Sequence, residues 1–140
     1  MPICDRFKLA RRFAAIFYDT LLLAGVLVFA FIPFVALFGD LAKDGYNPLS
    51  TLYLVAVALL YFGWQWTHGG QTLGMKTWRI RLVSLEGGPV SGRQAMVRFF
   101  VALLSWAAVG IGYIWALRDP DCLTWHDRAS GTRMEQTDPK

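Results

Sequence analysis

Phe13 to Phe38 is an apolar run long enough to cross a bilayer, and a carboxylate, Asp19, lies inside it. At about 1.5 Å per residue, a helix of this length exceeds a hydrocarbon core roughly 30 Å thick. Its only interruptions are Asp19, Thr20, Gly25 and Pro33. Two further runs qualify as membrane segments, Leu49 to Trp66 and Phe99 to Leu117. The second closes on Trp64 and Trp66, rings of the kind that collect at headgroup level. Composition agrees: 55% of the 140 residues are hydrophobic and 17% charged, against about 45 to 50% and about 25% in soluble domains. The expectation is an all-α membrane protein in one domain, 1–140, with hydrophobic helices over 13–38, 49–66 and 99–117, a cytoplasmic loop over 67–98 and a tail over 118–140. The first run is too long for the core of an export signal, which spans about 7 to 15 residues.

Lys and Arg fix the orientation, because cytoplasmic loops carry their excess. Arg6, Lys8, Arg11 and Arg12 precede the first run, and Lys76, Arg79, Arg81, Arg93 and Arg98 follow the second. The intervening loop holds only Lys43, beside Asp40 and Asp44. The N-terminus and the long loop therefore face the cytoplasm. For the third run two geometries stay open. Its length and unbroken apolarity suit a full span, whereas Gly110 and Gly112 and the basic tail suit a re-entrant turn that brings Lys140 back. In the loop, Trp78, Ile80 and Leu82 alternate with Arg79 and Arg81 before Gly87-Gly88-Pro89. That pattern predicts a short β-hairpin on the membrane surface.

Several site classes are disfavoured. Gly69 to Lys76 looks like a phosphate loop, but Met75 separates Gly74 from Lys76 and no Ser or Thr follows a contiguous Gly-Lys. His68 and His126, with Cys4 and Cys122, make no metal-ligand spacing; they read as interfacial polar residues, with no disulfide in a reducing cytoplasm. No nucleophile and base pair marks an enzyme, and no cofactor is indicated. The net charge of +4 comes from basic residues flanking apolar runs, which implies lipid rather than nucleic acid as the partner.

Asp19 needs a partner, since a carboxylate within a membrane helix faces a counter-group or a wet cavity. Arg12 shares its helix face at seven residues' distance, roughly 10 Å along the axis. Arg98, at the entrance to the third run, is a second candidate. Asp127, next to His126, also suits a cap on a short helix beginning there.

With Arg12 in "ARRF", Asp19 in "IFYDTLLL" and Asp127 in "WHDRASGTR" in order, the chain resembles the RDD family of small membrane proteins. The loop "GGQTLGMKTWRIRLV" and the following "SGRQAMVRFF" extend the likeness through Gly70, Thr72, Gly74, Lys76 and Arg98. The resemblance runs from about Leu9 to Arg133. The ending departs from the family, in which Gly-Thr leads into a valine-rich strand; here "RMEQTDPK" follows, which leaves a terminal strand without sequence support.

Two functions follow as expectations. In one, implied by the resemblance, an oligomer transports ions and Asp19 exchanges a proton for a cation. The chain shows no internal repeat of the kind that builds alternating access, so one copy does not make the pathway alone. In the other, Arg12, Asp19, Arg98 and Asp127 form a structural ion-pair clamp in a non-catalytic module that assembles with its own copies or with other membrane proteins. The expected location is a bacterial inner membrane.

Overall fold

A computed structural model describes residues 6–43 and 47–137. Helix α1 runs Arg6–Ala42, beginning well before the apolar run; Pro33 lies inside it, and Phe38, at φ −127° and ψ 29°, breaks its last part. Helix α2 runs Pro48–Thr67. Asn47 caps it by accepting from the Leu49 N–H at 2.9 Å, and Pro48 opens its first turn, where no N–H is needed. The two helices pack through Phe34, whose ring stacks on Tyr53, and the Tyr53 hydroxyl donates to the Ala30 carbonyl at 3.0 Å. Phe17, Val28, Phe29, Leu37, Leu52 and Leu60 all face outward. So much exposed apolar surface suits lipid and not water.

After α2, a short helix α3 (Leu73–Thr77) leads into strand β1 (Ile80–Ser84), and helix α4 runs Gly92–Ala107. Helix α4 starts ahead of the apolar run because Ser91 and Gln94 form a reciprocal capping box. It does not continue straight. Val109 and Gly110 both take positive φ, at 59° and 75°, and the next piece, helix α5 (Ile111–Ile114) with the tighter turn Trp115–Leu117, is bent from α4 by 107°. Helix α6 (Trp125–Ser130) then packs back on α4 and leads into strand β2 (Thr132–Gln136). The third apolar run is thus a broken helix, and the chain beyond it returns to the same end of the bundle as Arg12.

The expected hairpin is corrected in its partner. Strand β1 forms where alternation placed it, and Gly87 turns the chain, its N–H donating to the Ser84 carbonyl at 2.9 Å. However, Val90 is buried and Ser91 caps α4, so no local second strand is left. Instead β1 pairs antiparallel with β2, Ile80 opposite Gln136 and Ser84 opposite Thr132. The tail without strand support in the sequence supplies the partner. Thr132 and Met134 point inward while Arg133 and Glu135 stay exposed, which is the period of two that a half-buried strand requires. Ile80 and Leu82 join Ala15, Ala58, Trp66, Met75, Val90, Ala95 and Phe99 in one core.

Candidate functional site

Three of the four charged residues singled out in the sequence meet in one buried cluster. Asp127 sits in the first turn of α6, where Thr124 caps the helix; Thr124 accepts from the Asp127 N–H at 3.3 Å, and the Asp127 carboxylate accepts from the Thr124 N–H at 3.1 Å. The same carboxylate accepts from the guanidinium of Arg12 on α1 through Oδ2 and from that of Arg98 on α4 through Oδ1. Arg12 also donates to the Cys122 carbonyl and to the Met134 sulfur, and Arg98 to the Thr132 hydroxyl at 3.0 Å. Asp127 therefore joins the capping of α6 to α1 and α4, and the two arginines carry the link on to β2.

Burial alone would raise the Asp127 carboxyl, but Arg98 and then Arg12 outweigh it and hold it well below the usual carboxylate range. Its neighbour His126 is pushed down to about 3, first by burial and then by the charge of Arg98. His126 is therefore a neutral imidazole in the core and not an interfacial residue. His68 is exposed and stacks on Trp64. Trp66 is likewise corrected: it is buried, with Arg98 5.3 Å over its ring.

Asp19 stands apart from the cluster. The Thr72 hydroxyl donates to its Oδ2 at 2.5 Å and the Gly74 N–H to its Oδ1 at 2.9 Å. Thr72 in turn accepts from the Met75 N–H at 3.2 Å, which points its proton at Asp19. The sequence-stated pairing of Asp19 with Arg12 or Arg98 is thus replaced: both arginines go to Asp127, and a loop that begins after α2 supplies neutral donors. Gly74 is required by this contact, because a Cβ there would lie 2.6 Å from the Ala15 carbonyl oxygen and 2.8 Å from the Asp19 carboxylate. Gly74→Ala is expected to push α3 off α1 and to cost about 1 to 3 kcal/mol, as overpacking commonly does; thermal unfolding in detergent measures it. Gly70, at φ 68°, lets its carbonyl receive the Leu82 N–H at 2.7 Å. Lys76 is exposed and is not brought into either contact.

The sequence reading missed several contributors. Gln94 reaches from α4 to the Ser84 hydroxyl at 3.1 Å and the Gly131 carbonyl at 3.2 Å, and Thr124 fixes Asp127. Ser91-x-x-Gln94 and Thr124-x-x-Asp127 both carry the spacing of a capping box, a signal available from sequence. Gly112 was marked only as a possible break in the third run; its packing role was not legible, since a Cβ there would meet Ser105 Oγ at 1.8 Å. The expectation of no disulfide is overturned at Cys122, which is disulfide-bonded; Cys4 lies outside the described residues, as do Asp44 and Lys140. Among the described residues no group of three or more His, Cys, Asp and Glu side chains is arranged to hold a metal.

Comparison with known proteins finds a family match. The model of the RDD family covers residues 7–131. No curated protein and no solved structure matches the chain.

Proposed function

The chain belongs to the RDD family, and we propose that within an integral membrane protein of this type it acts as a non-catalytic assembly module. Arg12, Arg98 and Asp127 are its internal clamp. The observation that carries the reading is that both arginines converge on a single buried carboxylate that also caps α6. Groups bound to one another in this way hold helices in register and are not displaced cheaply, since separating a buried pair leaves an uncompensated charge. The outward apolar faces of α1 and α2 then meet lipid, a second copy or another membrane protein. The basic residues at the Arg12 end favour a bacterial inner membrane with the N-terminus, the loop and the returning tail in the cytoplasm. On that side the Cys122 cystine faces reduction, so a C-terminal topology reporter and thiol labelling of Cys122 test the orientation together.

A second reading, cation/proton exchange at Asp19, is favoured by one observation. Asp19 has no ion-pair partner among the described residues and lines a cavity between the helices. Proteoliposomes with a trapped pH dye, pulsed with Na⁺, K⁺ or Li⁺, separate the two. The assembly reading expects no flux above empty liposomes. It also expects Asp19→Asn to lose about 1 to 3 kcal/mol of stability, because the amide NH₂ would face a donor, either Thr72 or Gly74. Flux in the wild type that disappears in a well-folded Asp19→Asn variant would instead make Asp19 an exchange site.

A further inference from the structure

Lys76 belongs to the loop motif, yet it takes part in neither the Asp127 cluster nor the Asp19 contact. It lies on the outward side of α3 with Leu73, Trp78 and Arg79, all four exposed. The depth of this corner is set by α1. Gly74 of α3 packs against Ala15 and Asp19, which stand two and six residues into the apolar run, about 3 and 9 Å along the helix from Phe13. Helix α3 therefore lies beside the first turns of that run, where headgroups give way to hydrocarbon. Trp78 is 40% exposed and Leu73 49%; an amphipathic ring and an aliphatic side chain at this level suit the lipid boundary better than water.

The charge of the corner is one-sided. No Asp or Glu occurs between Gly69 and Ser84, and Asp19 is the only one between Arg6 and Gly39; its oxygens accept from Thr72 and Gly74. Arg81 lies opposite Glu135 across the sheet. Lys76 and Arg79, by contrast, have no ion-pair partner among the described residues. They are held close by a tight turn after α3, in which the Arg79 N–H donates to the Lys76 carbonyl at 3.3 Å. That turn keeps Arg79 at φ 54°, a left-handed conformation that glycine takes freely and arginine does not. The fold thus carries a guanidinium where the backbone alone favours glycine. We propose that Leu73, Lys76, Trp78 and Arg79 form a headgroup site for a phospholipid of net negative charge, with Lys76 and Arg79 taking its phosphate and Leu73 and Trp78 bordering its glycerol and upper acyl chains. The guanidinium offers paired donors that match phosphate oxygens, and the ammonium adds a point charge. A zwitterionic lipid would bring a cation of its own to a corner whose segments offer it no free carboxylate. The site rests on the chain's place in a membrane family and not on the assembly role, because neither cation bonds to Arg12, Arg98 or Asp127.

Native mass spectrometry of the detergent-purified full chain, given equimolar phosphatidylglycerol and phosphatidylcholine with identical acyl chains, tests the proposal. Preferential retention of phosphatidylglycerol is expected. Lys76→Gln and Arg79→Gly should each lower that preference by about fivefold, the usual worth of one basic residue at an anionic membrane surface. Arg79→Gly is expected to stay folded, since glycine adopts this φ without strain, and thermal unfolding in lipid-free detergent checks each variant. Arg93→Gln removes a cation from the start of α4 and should leave the preference unchanged. Equal retention of the two lipids by the wild type would overturn the proposal. So would an unchanged preference in folded Lys76→Gln or Arg79→Gly, or a loss as large in Arg93→Gln, which would mean a general attraction of the basic loop for anions. Glycerol phosphate, the same headgroup chemistry without chains, is expected not to displace the lipid; displacement would reassign the corner to a soluble phosphate and overturn the lipid site. All of these failures leave the Asp127 clamp standing, because the clamp is tested by stability and not by lipid.

Discussion

Asp127→Asn is expected to lose about 3 to 5 kcal/mol of stability, the usual result of removing one partner from a buried ion pair. The amide keeps the size of the side chain but places an NH₂ where a guanidinium donates, and it leaves Arg12 and Arg98 buried together without a counter-charge. The helix cap suffers as well, because the carboxylate oxygen that accepts from the Thr124 N–H is the one that accepts from Arg12. Arg12→Met is expected to be milder, since Arg98 and Asp127 then remain as a one-to-one pair. That ordering is specific to two cations sharing one anion. Thermal unfolding in matched detergent reads it as a drop in Tm for Asp127→Asn of more than about 10 °C and a smaller drop for Arg12→Met. Equal losses would show that the two arginines are not competing for one carboxylate.

Both membrane helices and the suspicion attached to Asp19 were legible because each depends on local sequence. A long apolar run declares a span, and a carboxylate within it declares a need. What satisfied the need was not legible. Helical periodicity places Arg12 and Asp19 on one face, yet they lie roughly 10 Å apart along the axis, and the return of α6 offers Arg12 a nearer carboxylate. Thr72 and Gly74 were marked only as parts of a motif. Their joint role emerges once α3 is folded onto α1, where the missing Cβ of Gly74 lets its N–H reach Asp19. The same holds for the sheet: alternation identified β1, but its partner lies beyond α4 and α6, and the charged side chains of β2 concealed its inward Thr132 and Met134. Local turn chemistry at Gly87 suggested a nearer partner than the one tertiary packing provides.

His126 makes the cluster sensitive to acid in a range where Asp127 does not yet titrate. Burial, then Arg98, with Arg12 adding to them against the opposing pull of Asp127, lowers the folded-state His126 to about 3. The unfolded chain restores it to about 6.5. Below that value the unfolded state binds a proton that the folded state refuses, so the stabilisation is whole above about pH 6.5 and drains as pH falls toward 3. At about 1.4 kcal/mol per unit, the loss by pH 4 is on the order of 3 kcal/mol. Asp127 acts in the same direction only at lower pH, because its own folded value is depressed below the unfolded carboxyl and its contribution begins to fade under about pH 3.8. His126→Phe separates the two, since a phenyl ring keeps the contact with Tyr113, whose ring centre lies 4.8 Å away, and takes up no proton. Unfolding midpoints measured from pH 7 to pH 4 should fall steeply for the wild type and stay nearly level for His126→Phe. A wild type as level as the variant would mean that His126 reaches solvent protons without unfolding, and the tight closure of α6 over α4 would have to be abandoned.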